Sequence, residues 1–148
     1  MTKILILIVL VSFSVYIAFI RVSALGERLK KNKKMLNLSE KIRKNYRTEM
    51  LSPITLCREL TERDICTSEQ AVMALKEEFS GAFGADEFCE CFSALFNASE
   101  DELEGIFDKL AEISSNAHRL SAAEYERAKE SVYILYPGIA CIVSIIIM

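Results

Sequence analysis

The chain has 148 residues, a net charge of −3 and a single histidine. Once two apolar ends are set aside, that length leaves room for one small domain rather than two. The near-neutral total also conceals a sharp charge split and a gathering of apolar residues at the termini that ordinary soluble enzymes do not show.

Ile4 to Ile20 runs seventeen residues without a charge, and Ser131 to Met148 runs eighteen. A bilayer core of about 30 Å needs roughly 20 apolar helical residues, fewer when flanking side chains snorkel. The runs therefore predict transmembrane helices at 4–20 and 131–148, with a helical bundle at 21–130 between them. A cleaved leader is the rival reading of the first run, with Val22-Ser23-Ala24 as a loose cleavage site. The run is long for such a segment, and the positive charge that follows opposes export.

Residues 21–49 carry ten Lys/Arg against three Asp/Glu, a local charge of +7, while residues 50–130 carry seven against eighteen, a local charge of −11. Excess Lys/Arg marks the cytoplasmic flank of a membrane helix. Arg21, Arg28, Lys30, Lys31, Lys33 and Lys34 follow the first run, whereas only Lys3 precedes it and no charged side chain follows the second. This predicts two antiparallel spans, both termini outside the cytoplasm, a cytoplasmic middle, and membrane lipids as partners of the basic flank, each cation gaining about 1 kcal/mol near anionic headgroups.

The helical period dominates, and no stretch alternates like a strand between hairpin turns. The expected fold is all-α. Leu25, Leu29, Leu36, Leu38, Ile42, Tyr46 and Met50 continue the first helix for about 39 Å beyond the membrane. Pro53 stops it, and Ser52 caps a short helix from Ile54 to Arg63 with Leu56, Cys57 and Leu60 inward. Thr67 and Gln70 form a capping box for a helix reaching Phe79, with Val72, Met73, Leu75 and Phe79 buried. Gly81 and Gly84 break the chain before a helix over Asp86–Phe96, where phenylalanines cluster. Ser99 and Glu102 form a second capping box. The last helix carries Leu103, Ile106, Leu110, Ile113, Ala117 and Leu120 at steps of 3 and 4, the spacing of a coiled-coil seam. Together these predict a long antiparallel helical stalk with three short helices at its distal end, flanked by the two transmembrane helices. Tyr133 and Tyr136 fall where an aromatic belt sits, and Pro137-Gly138 should kink the second span.

No catalytic constellation is evident. His118 lies on the last helix without a positioned partner, there is no phosphate-binding Gly-rich loop, and the carboxylates do not follow a calcium-loop pattern. Five cysteines in no even framework read as buried small hydrophobes, and Cys89 and Cys91 point apart on a helix, so no metal or cofactor is expected. The basic stretch holds one aromatic, Tyr46, and no nucleic-acid module, so nucleic acid is not an expected partner.

Three stretches accompany the two apolar ends: Leu25-Gly26-Glu27-Arg28-Leu29-Lys30-Lys31 running on to Tyr46-Arg47-Thr48-Glu49-Met50; Leu51-Ser52-Pro53-Ile54-Thr55-Leu56; and Phe92-Ser93-Ala94-Leu95-Phe96-Asn97-Ala98-Ser99-Glu100-Asp101. In this arrangement the chain resembles the stage III sporulation protein AB family of endospore-forming bacteria. It departs from the family at Phe96, where a glycine is usual, and at Gly105, near an expected glutamine. The resemblance implies a bundle similar to the cytoplasmic domains of type II secretion platform proteins. It also implies a non-enzymatic role in the mother-cell membrane facing the forespore. The implied partners are a cytoplasmic ATPase, the stage III sporulation protein AA, and the other membrane proteins of a secretion-like complex. An unrelated two-span adaptor or sensor is the alternative reading.

Overall fold

The computed structural model describes residues 2–48 and 52–147. The expected seam residue Met50 lies outside them, as do the side chains of Tyr133, Tyr136, Pro137 and Cys141. Five α-helices make up the described chain, with no strand: α1 (Thr2–Thr48), α2 (Pro53–Thr61), α3 (Ser68–Glu78), α4 (Ala85–Ala94) and α5 (Glu100–Ile147). The all-α class and the pattern of three short helices between two long ones are therefore those the periodicity predicts. α5 continues through Pro137-Gly138.

Among the described residues no helix is long and apolar enough to cross a membrane. Both expected spans, 4–20 and 131–148, lie partly outside the described side chains. The chain divides into two compact units, one of Met1–Glu27 with Ala122–Met148, the other of Arg28–Ser121. The division falls inside α1 and α5, not at the charge boundaries of residues 21 and 130.

Local chemistry starts and stops the short helices. Ser52 sits in extended backbone, its hydroxyl accepts from the Ile54 N–H, and Pro53 opens α2. The helix ends at Glu62 in left-handed backbone (φ 53°), and Arg58 donates to the Ile65 carbonyl at 2.7 Å, closing the following turn. Thr67 accepts from Gln70 N at 3.2 Å. The Gln70 Oε1 in turn accepts from the backbone N–H of Cys66 at 3.0 Å, one residue ahead of the cap. At the start of α5, Glu102 accepts from both the backbone N–H and the hydroxyl of Ser99, at 3.0 and 2.9 Å.

The core lies in the 28–121 unit. Phe79, Phe88 and Phe92 are fully enclosed, with Phe79 and Phe88 edge to face at 5.8 Å and Phe92 against the half-buried Phe96 at 5.4 Å. Edge-to-face pairs favour the ring quadrupoles beyond the area they bury. On α3 the inward residues are Ala71, Ala74, Leu75 and the cap residue Phe79, whereas Met73, expected inside, is 64 % exposed. It stands one residue off the buried stripe, about 100° round the helix.

In the same unit α1 and α5 run antiparallel where they meet. Ser39 bonds Ser114 (Oγ–Oγ 2.9 Å), Arg43 pairs with Asp108 (2.9 Å), and Tyr46 packs at a tilt against Phe107 (ring centroids 5.3 Å), the numbers rising on one helix as they fall on the other.

Candidate functional site

The stripe that α5 buries is not the one its apolar residues predict. Leu103, Phe107, Leu110, Ser114, Ala117 and Ser121 are the enclosed positions, stepping 4, 3, 4, 3, 4. Of the expected seam, Leu103, Leu110 and Ala117 are inside, Ile106 and Ile113 are half-buried, and Leu120 is 54 % exposed. The matching stripe on α1 is Asn32, Met35, Ser39 and Ile42, with Leu38 beside it. Four of these enclosed positions are polar, which hid them from a search for apolar spacing.

Each of these four polar side chains finds a hydrogen-bond partner. Ser114 and Ser39 bond each other, and each hydroxyl also approaches a carbonyl of its own helix, Ala111 and Leu36. Ser121 donates to the His118 carbonyl at 2.9 Å. Asn32 donates to the Phe83 carbonyl at 3.0 Å and accepts from the Phe83 N–H at 3.4 Å. A single side-chain amide thus satisfies both backbone groups of a residue in the glycine-flanked turn before α4, where an unmet pair would cost the desolvation of each group. His118 is half-buried and its Nδ1 is enclosed without a hydrogen-bond partner among the described residues.

The basic residues expected to flank a membrane divide in two. Arg28 lies 4.8 Å over the Phe83 ring, Lys31 donates to the Ser80 carbonyl at 2.7 Å, and Lys34 pairs with Glu78 at 2.5 Å. With Asn32 they fasten the 78–83 segment to α1. Lys30 and Lys33 are exposed. Arg21 is exposed in the other unit, where it lines a groove of about 590 Å³ with Glu124, Arg127 and Leu135.

A groove of about 890 Å³ lies between α4 and α5. Ile106, Ile113 and Leu120, the half of the predicted seam left out of the core, line it, together with Ala94 and Ala117. Glu87 and Glu90 from α4, and Glu112 and Lys109 from α5, also line it. Gly84 (φ 65°) begins α4 beside α5, and a Cβ there would lie 3.2 Å from Ile113, so the close approach and the left-handed backbone both call for glycine.

Three of the cysteines, Cys57, Cys89 and Cys91, are buried. Burial pushes Cys57 up to about 12 and Cys89 up to about 11, with the neighbouring Cys89 and Asp86 respectively adding to the rise. Burial also raises Cys91, which donates to the Ile106 carbonyl at 3.8 Å. A thiol so placed stays protonated and packs as a small apolar group. Cys66 is exposed. Among the described residues no three His, Cys, Asp or Glu side chains converge as metal ligands.

Comparison of the chain with protein-family models, with curated proteins and with solved structures finds no match in any of the three.

Proposed function

We propose that the chain is a membrane-anchored docking platform without enzyme activity of its own, of the stage III sporulation protein AB kind. It would sit in the mother-cell membrane facing the forespore, with both termini outside the cytoplasm. The 28–121 unit would serve a cytoplasmic ATPase, similar to the stage III sporulation protein AA, together with the other membrane proteins of a secretion-like complex. The two long helices form the stalk in this reading, and the three short ones its distal head.

The observation that carries the reading is where apolar side chains meet solvent. On α1, Leu5, Ile8, Val9, Phe13, Tyr16, Ile17, Phe19 and Ile20 are 49 to 68 % exposed, and on α5 Ile134, Leu135 and Ile142 are 53 to 74 % exposed. At about 100° per residue these positions share one broad face of each helix, and the runs that hold them carry no charge on any side, as suits a helix whose solvent is hydrocarbon. The +7 stretch beginning at Arg21 sets the side of the membrane.

Protease added to inverted membrane vesicles should digest the middle of the chain, and protease added to intact protoplasts should spare it. The full chain, extracted in detergent, should retain the ATPase on co-purification. Digestion from the outer face, or retention of no cytoplasmic ATPase, would sink the platform reading.

A further inference from the structure

We propose that the groove between α4 and α5 is a docking site for one amphipathic helix of a partner protein, with an apolar stripe at heptad spacing and Lys/Arg along its edges. The inverted patterning of α5 motivates this. At two successive heptads the helix turns a serine inward, Ser114 and Ser121, and leaves the larger apolar neighbour, Ile113 and Leu120, on the groove side. Turning Ile113 and Leu120 inward instead would bury more apolar surface, which the unit forgoes in exchange for the Ser39–Ser114 bond and the close approach of Gly84. A partner that covers the outer stripe recovers that apolar burial.

The dimensions and charge select the occupant. Ile106, Ile113 and Leu120 recur every seven residues, so their stripe spans about 21 Å at 1.5 Å per residue. That is the length of about four helical turns, and a heptad stripe is read by a helix carrying the same repeat. Ala94 and Ala117 on the groove walls leave room for side chains to enter. Three carboxylates, Glu87, Glu90 and Glu112, line the groove against one cation, Lys109, and none of the three carboxylates is ion-paired among the described residues. A basic-edged helix supplies the missing counter-charges, which speeds encounter and repels acidic competitors. The groove's chemistry stands on these residues. Only the identification of the helix's owner with the docked ATPase rests on the platform reading.

The test uses the full chain in nanodiscs of neutral phosphatidylcholine and a labelled 21-residue synthetic helix with a leucine heptad stripe and Lys/Arg edges. A twin peptide with Glu at the edges is the control. The basic peptide should raise the fluorescence anisotropy saturably. Leu120→Asp, at an exposed position, and the double variant Glu87→Lys/Glu112→Lys should each weaken binding at least tenfold, with thermal melting unchanged, and the acidic twin should fail to bind. Equal binding of the twins, no binding, or binding insensitive to both variants would overturn the proposal. So would sedimentation showing a dimer of the full chain that Leu120→Asp dissociates, because a second copy would then fill the groove. If Leu120→Asp loses the peptide but still retains the ATPase, the ATPase docks elsewhere and its identification with the helix's owner fails. If the peptide result holds while no ATPase co-purifies, the platform fails and the groove stands.

Discussion

The two compact units treat the same kinds of residue in opposite ways. In the 28–121 unit Phe79, Phe88 and Phe92 are completely enclosed, whereas in the other unit Phe13 and Phe19 are 61 and 68 % exposed. The difference lies in the company each phenylalanine keeps. Phe88 and Phe92 sit on a helix whose other face is acidic, so one side must turn inward and a core forms around it. Phe13 and Phe19 sit in a run of seventeen residues without a charge on any side, so the helix has no strongly polar face to turn to water. The first pattern builds a domain from its own side chains, and the second relies on a surrounding that the chain does not provide.

The largest expected effect breaks the core. Phe88→Ala removes a fully enclosed ring that meets Phe79 edge to face, and should cost about 3 to 5 kcal/mol. Thermal or urea unfolding of the detergent-solubilised chain should show this loss, and a cost below about 1 kcal/mol would mean that the ring is not enclosed. Next comes the opposite experiment in the other unit. Phe13→Asp, at a 61 % exposed position, should leave the unfolding of the core unchanged but disfavour membrane insertion by about 2.5 to 3.5 kcal/mol. Flotation with vesicles measures it, and unchanged flotation would argue that this surface meets something other than lipid.

Smaller effects sharpen the picture of how the core is fastened. Asn32→Ala strips both partners from the Phe83 backbone and should cost about 1 to 3 kcal/mol. Hydrogen exchange should quicken first at residues 80–84, and uniform quickening would show that Asn32 does not act through that turn. The smallest effect is electrostatic. The backbone N–H and hydroxyl of Ser99 hold the Glu102 carboxyl below its ordinary range. A carboxyl depressed in the folded state stabilises above its unfolded value and ceases to do so as pH falls through the folded one. Glu102→Gln should therefore lower the melting temperature slightly at pH 7, and the gap should close in acid as the pH passes below the ordinary glutamate range. A gap that persists or widens there would remove the carboxylate from the cap.

The helix starts were legible because they are local. Ser52-Pro53, Thr67 with Gln70, and Ser99 with Glu102 each satisfy exposed backbone N–H groups within a few residues, and such bonds can be read from spacing alone. The groove was half legible. Ile106, Ile113 and Leu120 belong to a stripe that spacing does find, but spacing assigned them to the core. Asn32 gave one signal, a polar residue standing three and seven positions before Met35 and Ser39 on a buried stripe. That stripe can be recognised only once Ser39 is known to face Ser114.

By itself, then, the order of residues determined the helical class, the breaks between helices, the charge split and the two apolar ends, because each depends on neighbours within a turn or two. Which side of α5 faces inward was decided only in three dimensions. Two candidate stripes compete there, and the choice depends on the Ser39–Ser114 bond, the Gly84 approach to Ile113 and the Phe107–Tyr46 contact, between residues 29 to 75 positions apart in the chain. Hydrophobic spacing ranks stripes by their own apolarity, whereas packing ranks them by what stands opposite.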